Sequence, residues 1–148
     1  MVWLDWEDFA GFFVDLAGRS GFYGWPSYTE KHLLWALLQS LGEEVRWEGP
    51  CLCAGDFNQI MYHEEKLGGP LRDKKLMDEF RTALEDCGLV GLVDLSFVGF
   101  KYTWWNGCEG DLSLHQRLDR MIGNKKWVDE FSWLCMHHLD YGGSDHLP

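Results

Sequence analysis

Cys51-Leu52-Cys53-Ala54 is a short apolar run held between Glu48-Gly49-Pro50 and Gly55-Asp56-Phe57-Asn58. Four apolar residues with turn formers on both sides are too few for a helix and fit a buried strand. A buried strand has to be covered, so the rest of the chain must supply neighbouring strands and helices in layers. This strand also delivers an acid and an amide, Asp56 and Asn58, at its C-terminal end.

The flanking pattern supplies those layers. Before the run, Ser27-x-x-Glu30 has capping-box spacing, and Leu33, Leu34, Leu37, Leu38 and Leu41 form an apolar stripe that predicts a helix ending near Gly42. After it, Gln59 to Lys75 is polar and Gly-rich and reads as a surface loop. A second helix follows, with Leu76, Met77, Phe80, Leu84 and Cys87 on one face and Gly88 as its stop. Short strands are then expected at Leu92 to Val98, Phe100 to Trp105, Arg117 to Ile122 and Trp133 to Leu139. A brief helix capped by Asn124 separates the last two. The first sixteen residues repeat aromatics at threes and fours as a helix does, yet their aromatic and Val content with flanking Gly also suits strands. Two helices among at least five strands predict an α/β or α+β layered domain.

Composition narrows the function. A length of 148 residues suits one domain, and 46% hydrophobic with 16% aromatic residues, nine of them Trp, provides a core and excludes overall disorder. The formal net charge of −11 argues against holding nucleic acid by bulk charge, since that depends on Lys and Arg neutralising phosphates. Either the substrate is not a polyanion or a metal ion supplies positive charge. Five cysteines without a CxxC pair fit neither a disulfide framework nor a zinc ribbon and suit a reducing compartment. No run approaches the ~18 apolar residues of a membrane span, and Asp5, Glu7 and Asp8 stand where a signal peptide is basic. The expectation is an intracellular chain with no membrane association.

Four clusters place polar groups at the ends of apolar segments: Gly55-Asp56-Phe57-Asn58, Tyr102-Thr103-Trp104-Trp105-Asn106, Arg117-Leu118-Asp119-Arg120 and Ser144-Asp145-His146. If the first stays extended, Asp56 and Asn58 face one space while Phe57 turns to the core. An acid able to accept a proton beside an amide able to donate to an oxyanion suits phosphate chemistry. Taken alone, Gly-Asp-x-Asn fits a turn better, with both side chains capping the backbone. His146 needs a partner from elsewhere, and Asp119 is the candidate, because a carboxylate on one imidazole nitrogen fixes the tautomer and raises basicity. Read in isolation, Arg117 to Arg120 fits an exposed, salt-bridged strand edge. His63, His115, His137 and His138 have no metal-ligand spacing and read as surface or structural.

In their order along the chain, Gly55-Asp56-Phe57-Asn58, Tyr102-Thr103-Trp104, Arg117-Leu118-Asp119-Arg120 and Gly143-Ser144-Asp145-His146 resemble the endonuclease/exonuclease/phosphatase superfamily. Gly21-Phe22-Tyr23-Gly24, Glu65-Lys66-Leu67-Gly68-Gly69, Phe80-Arg81 and Asp86-Cys87-Gly88-Leu89 are similar, more narrowly, to the endonuclease domain of plant non-LTR retroelements. The resemblance divides the chain into a divergent segment, 1–17, and a partial domain, 18–148. It implies an α/β (α+β) two-sheet sandwich of the DNase-I-like kind and metal-dependent hydrolysis of a phosphodiester, with Mg²⁺ or Mn²⁺ as cofactor, DNA as partner and the nucleus as the place of action.

By motif, Asp56 orients or deprotonates the attacking water, Asn58 helps hold the phosphate, and His146 paired with Asp119 stabilises developing charge. The resemblance likewise implies Asp145 as the associated carboxylate near metal and Tyr23 as the residue that touches a nonbridging oxygen. Trp104 lies where the family has an aromatic near the nucleotide, although its stacking in the core is equally expected. The family's principal metal Glu and an Asn belong to strands well before the Tyr motif, and here only 22 residues precede Tyr23. Glu7 and Asp8 lack that context. The chain also stops two residues after His146, so the resemblance implies a domain without its first strands and last strand, with open strand edges and some Trp exposed. A catalytically inactive retroelement remnant and an aromatic-rich binding module are the competing expectations.

Overall fold

The computed structural model describes residues 11–14, 19–23, 31–33, 35–36, 39–40, 49–50, 52–86, 93–94, 97–133, 135–139 and 144–147. They form a mixed α+β arrangement. Its main sheet contains β1 (Gly11–Val14), β2 (Arg19–Tyr23), β3 (Leu52–Asp56), β9 (Asp119–Gly123) and β5 (Val93–Asp94), in the order β1-β2-β3-β9-β5. β2 and β3 are parallel, and the other neighbours are antiparallel. A three-stranded sheet has the order β4 (Lys66–Leu67), β8 (His115–Gln116), β7 (Trp104–Trp105), and β6 (Phe97–Val98) pairs in parallel with β10 (Met136–His137).

The apolar run at Leu52 is indeed a strand, paired on both sides, with Leu52 and Cys53 buried. Of the ambiguous N-terminal segment, residues 11–14 are strand. Residues 1–10 lie outside the described residues.

Helical residues 31–33, 35–36 and 39–40 (α1) precede β3, and α2 (Lys74–Leu84) follows it. Asp73 caps α2 by accepting from the Lys75 amide at 2.9 Å. The helix turns Leu76, Met77, Phe80, Ala83 and Leu84 inward, and Phe80 meets Phe57 at 5.7 Å and Trp35 at 4.9 Å between ring centroids. Burying a side chain of this size stabilises the fold by roughly 1.5–3 kcal/mol. Cys87 and Gly88 lie outside the described residues. In α1 the expected leucine stripe does not hold throughout, because Leu33 is exposed while Lys31 and Trp35, one turn apart, are buried. The large Trp35 ring on Phe80 decides which face goes inward. α3 (Lys125–Glu130) starts at Asn124, whose side chain accepts from the Trp127 amide at 2.9 Å.

The expected surface loop after Asn58 is only partly superficial. Gln59, Ile60 and Glu65 are buried, and α2 already begins at Lys74. Ile60 packs with Met77 and Leu118, and Trp104 lies against them. Glu65 explains why a polar segment goes inward. Its carboxylate takes both terminal nitrogens of Arg120, one at 2.9 Å, and accepts from the Met61 amide at 2.6 Å. Its backbone carbonyl accepts from the Arg117 amide at 2.9 Å. The exposed strand edge expected at Arg117 to Arg120 is therefore replaced by a buried ion pair, with Arg120 1% exposed. Gly68 lets the same loop pass Ser113, since a Cβ there would lie 2.0 Å from the Ser113 carbonyl oxygen.

The later strands are shorter than their apolar runs. Among the described residues of the expected strand Trp133 to Leu139, Met136 and His137 are the ones in strand, and Trp133 is exposed. No described helix is long and apolar enough to cross a membrane.

Removing one partner of a buried, hydrogen-bonded ion pair strands the other charge. Glu65→Ala is expected to destabilise the chain by about 3–5 kcal/mol in urea unfolding, and the double replacement Glu65→Leu with Arg120→Met to recover most of that loss.

Candidate functional site

The site begins with register. β3 and β9 run antiparallel so that Asp56, the last residue of one, lies directly opposite Asp119, the first of the other. Both carboxylates therefore leave one face at one sheet end. The next pair inward, Gly55 opposite Arg120, belongs to the other face, where Arg120 reaches Glu65.

Thr103 fixes the edge of this arrangement. It is 1% exposed, and its hydroxyl accepts from the amides of Leu118 and Asp119, each at 2.9 Å. Its amide donates to the Gln116 carbonyl at 2.9 Å, and its carbonyl accepts from Leu147 at 2.7 Å. One residue thus ties the start of β9 to the segment bearing His146. Trp104 completes the tie through an antiparallel bridge to His146.

His146 Nδ1 lies 3.0 Å from Asp119 Oδ2, and Nε2 faces Asp56 Oδ2 at 4.0 Å. The first distance is a hydrogen bond and the second is too long for one. Nδ1–H donates to the Asp119 carboxylate, which leaves Nε2 directed at the space beside Asp56. Donor atoms from Asp56, Asp119 and His146 all lie within 4.8 Å of one another.

Asn58 does not continue the strand. Its φ of 51° is left-handed, and its amide donates to Asp56 Oδ1 at 2.7 Å. The turn geometry thus prevails over the extended one, because the acid caps the backbone two residues on. The half-buried Asn58 is held from the other side by Lys31, whose ammonium donates to its carbonyl at 2.6 Å.

Asp145 is directed elsewhere: its Oδ2 accepts from the Trp104 indole at 3.0 Å. Trp104 is half-buried, packed on the core with its polar edge toward Asp145. The Tyr23 backbone lies opposite Asp56 on the neighbouring strand. The structure thus assembles Asp56, Asp119 and His146, with Asn58 and Asp145 at the margins. Thr103 and Glu65 stood in the quoted motifs without a role of their own, and Lys31 was not singled out from sequence. Nothing in the spacing linked Lys31 or Glu65 to a strand end.

Electrostatics match the geometry. Burial, then the charge of Asp119, push Asp56 up from 3.8 to about 6, against the Asn58 amide, His146 and Lys31. The hydrogen bond that His146 donates to Asp119 raises His146 above its ordinary 6.5 against some burial, and the acids around it add to the rise. Burial and then Arg72 lower Lys31 to about 8. An acid that titrates near neutrality beside an imidazolium can exchange a proton with water. The imidazolium can meet an oxyanion.

No protein-family model matches the chain, and no curated protein matches it.

Asp56 holds its proton more tightly when folded, so stability falls as pH rises from 3.8 to about 6 and the loss is complete above that. Asp56→Asn is expected to stabilise the chain by up to ~3 kcal/mol at pH 8 in urea unfolding, with the gain vanishing below pH ~4. His146 contributes in the same sense, over a higher pH range. Its stabilisation is full below 6.5 and is lost as pH rises through its raised folded value. Proton NMR titration is expected to place the His146 midpoint above 6.5 and to show it falling in Asp119→Asn.

Proposed function

We propose that the chain is a metal-assisted phosphodiesterase of the endonuclease/exonuclease/phosphatase type, acting on DNA as the retroelement endonuclease domains do. The observation that carries this is the Asp119–His146 hydrogen bond at 3.0 Å set opposite Asp56 across one strand pair. Residues far apart in sequence meet there, which supports this reading. The mixed α+β arrangement, with α2 packed beside the central strand, is compatible with a DNase-I-like sandwich.

The donor set fits a hard divalent ion, Mg²⁺ or Mn²⁺. Two carboxylates converge, and burial and mutual repulsion raise the cost of ionising Asp56, which a cation relieves. Asp56 and Asp119 would hold the ion, with Asp145 as the outer carboxylate. Such an ion supplies charge neutralisation at the phosphate and favours ionisation of water.

The chain's own groups have separate tasks. Asp56, as a ligand of the ion, would orient the attacking water. Asp119 keeps the imidazole oriented and charged, and His146 donates from Nε2 to a phosphate oxygen. Asn58, fixed by Lys31 and the Asp56 cap, borders the phosphate space. Tyr23, placed by its backbone on the next strand, is by resemblance the phosphate-contacting Tyr, and Trp104 presents an aromatic edge to the nucleotide. A DNA substrate places the activity in the nucleus.

One observation favours a second reading, a catalytically inactive remnant. Among the described residues the convergent set has only two carboxylates and an imidazole already engaged by one of them.

Supercoiled plasmid incubated with Mg²⁺ is expected to be nicked, and His146→Ala and Asp119→Asn each to slow nicking at least about 100-fold. A folded chain that neither nicks DNA nor binds Mn²⁺ by calorimetry overturns the hydrolase and leaves the remnant.

A further inference from the structure

Two helical lysines face solvent and pair with an acid one turn on: Lys74 has Asp78 at 2.8 Å, and Lys125 has Asp129 at 2.7 Å. Lys31 is different. It is 3% exposed, and its Nζ donates at 2.6 Å to the carbonyl of Asn58, 27 residues further along the chain. Burial and then Arg72 lower its proton affinity to about 8, while the charge of Asp56 works the other way. Taking an ammonium out of water is costly, and the seating of α1 does not require it, since Trp35 already stacks on Phe80.

What Lys31 holds is the peptide that follows Asp56 and Phe57. Both of those residues are placed without it. Asp56 lies between Tyr23 and Asp119 in the sheet, and the buried Phe57 donates its amide to the Leu118 carbonyl at 3.0 Å and packs on Phe80. Asn58 has left the strand, and its φ of 51° is a sparsely populated conformation for an L residue. The bond from its amide to Asp56 Oδ1 at 2.7 Å and the bond from Lys31 to its carbonyl oppose that cost. The two oxygens of Asp56 thereby acquire different directions. Oδ1 is bound to the Asn58 amide, and Oδ2 faces His146 Nε2 at 4.0 Å. If the Asn58 peptide turned over, Oδ1 would lose this donor and the carboxylate could rotate out of that alignment.

We propose that Lys31 is a positioning residue of the site: by gripping the Asn58 carbonyl from α1 it keeps the Asn58 amide on Asp56 Oδ1, and so keeps Asp56 Oδ2 turned towards His146. Lys31 acts through backbone and touches no reacting atom itself. Its effect on rate rests on the hydrolase reading, whereas the alignment of Asp56 depends on no reaction.

NMR of the metal-free full chain reads the alignment directly. In wild type the Lys31 ammonium protons are expected to exchange slowly and to couple across the hydrogen bond to the Asn58 carbonyl carbon. A rapidly exchanging ammonium without that coupling overturns the grip, whether or not any variant folds. Lys31→Met keeps the apolar stem and removes donor and charge. It is expected to move the coupling between the Asn58 amide and α protons off its left-handed value and to speed exchange of that amide about 10-fold or more. Lys31→Arg, which restores a donor, returns most of both, and Lys125→Met leaves both as in wild type. In plasmid nicking with Mg²⁺, Lys31→Met is expected to lower kcat roughly 10-fold or more with KM little changed, as loss of alignment rather than of binding requires. A Lys31→Met chain with a shifted urea midpoint and an unchanged Asn58 coupling marks a purely structural lysine and overturns the positioning role. Nicking by that variant at the wild-type rate overturns it too. An Asn58 coupling that depends on Lys31 in a chain that does not nick DNA keeps the alignment and refutes the hydrolase.

Discussion

The buried bond between Glu65 and Arg120 holds the molecule's two halves of chemistry in place. Desolvating a carboxylate and a guanidinium is costly, and only bidentate geometry with further hydrogen bonds offsets it. Glu65 meets that condition, bonding the amide of Met61 as well as Arg120, while Arg120 also donates to the Arg117 carbonyl at 3.1 Å. The segment after Asn58 is thereby fastened to β9. The side chain preceding Arg120 leaves the opposite face, and it is Asp119. Order on the buried face thus sets the position of the carboxylate on the open one.

On the open face the balance is reversed. Asp56 and Asp119 are brought together at a sheet end where burial makes ionisation of Asp56 expensive, and His146 offsets only part of that cost. A fold selected for stability alone would place an amide or an apolar residue at Asp56. The energy spent there is recoverable by a ligand that brings positive charge, or by a reaction that needs a base near neutral pH. The fastening by Thr103 and Lys31 consists of hydrogen bonds to backbone, which keep the acids from relaxing apart.

Much of this could be read from sequence wherever a local rule acted by itself. The short run at Leu52, the apolar face of α2 and the Asn124 cap each follow from spacing and capping chemistry. The pairing of Asp119 with His146 was legible because an acid on a strand and an orphan histidine left few alternatives. Legibility failed where tertiary contacts overrode local pattern. Glu65 looked like a loop residue until Arg120 was placed opposite it. Lys31, on a helix that seemed to bury leucines, turned out to be buried because the Asn58 carbonyl awaited it. Asn58 left the extended geometry because Asp56 reached its amide first, a choice the tetrapeptide alone leaves open.

The pairing of Asp56 with Asp119 also makes the site indivisible. Side chains alternate at every residue, so a slip of β9 by one position would send Asp119 into the core and bring Arg120 out beside Asp56. An unpaired carboxylate would then face Glu65, and two acids would share the interior with no cation between them. No partly correct alignment gains part of the energy. The chain either closes with its guanidinium inside and its acids together at the rim, or that strand pair is rejected.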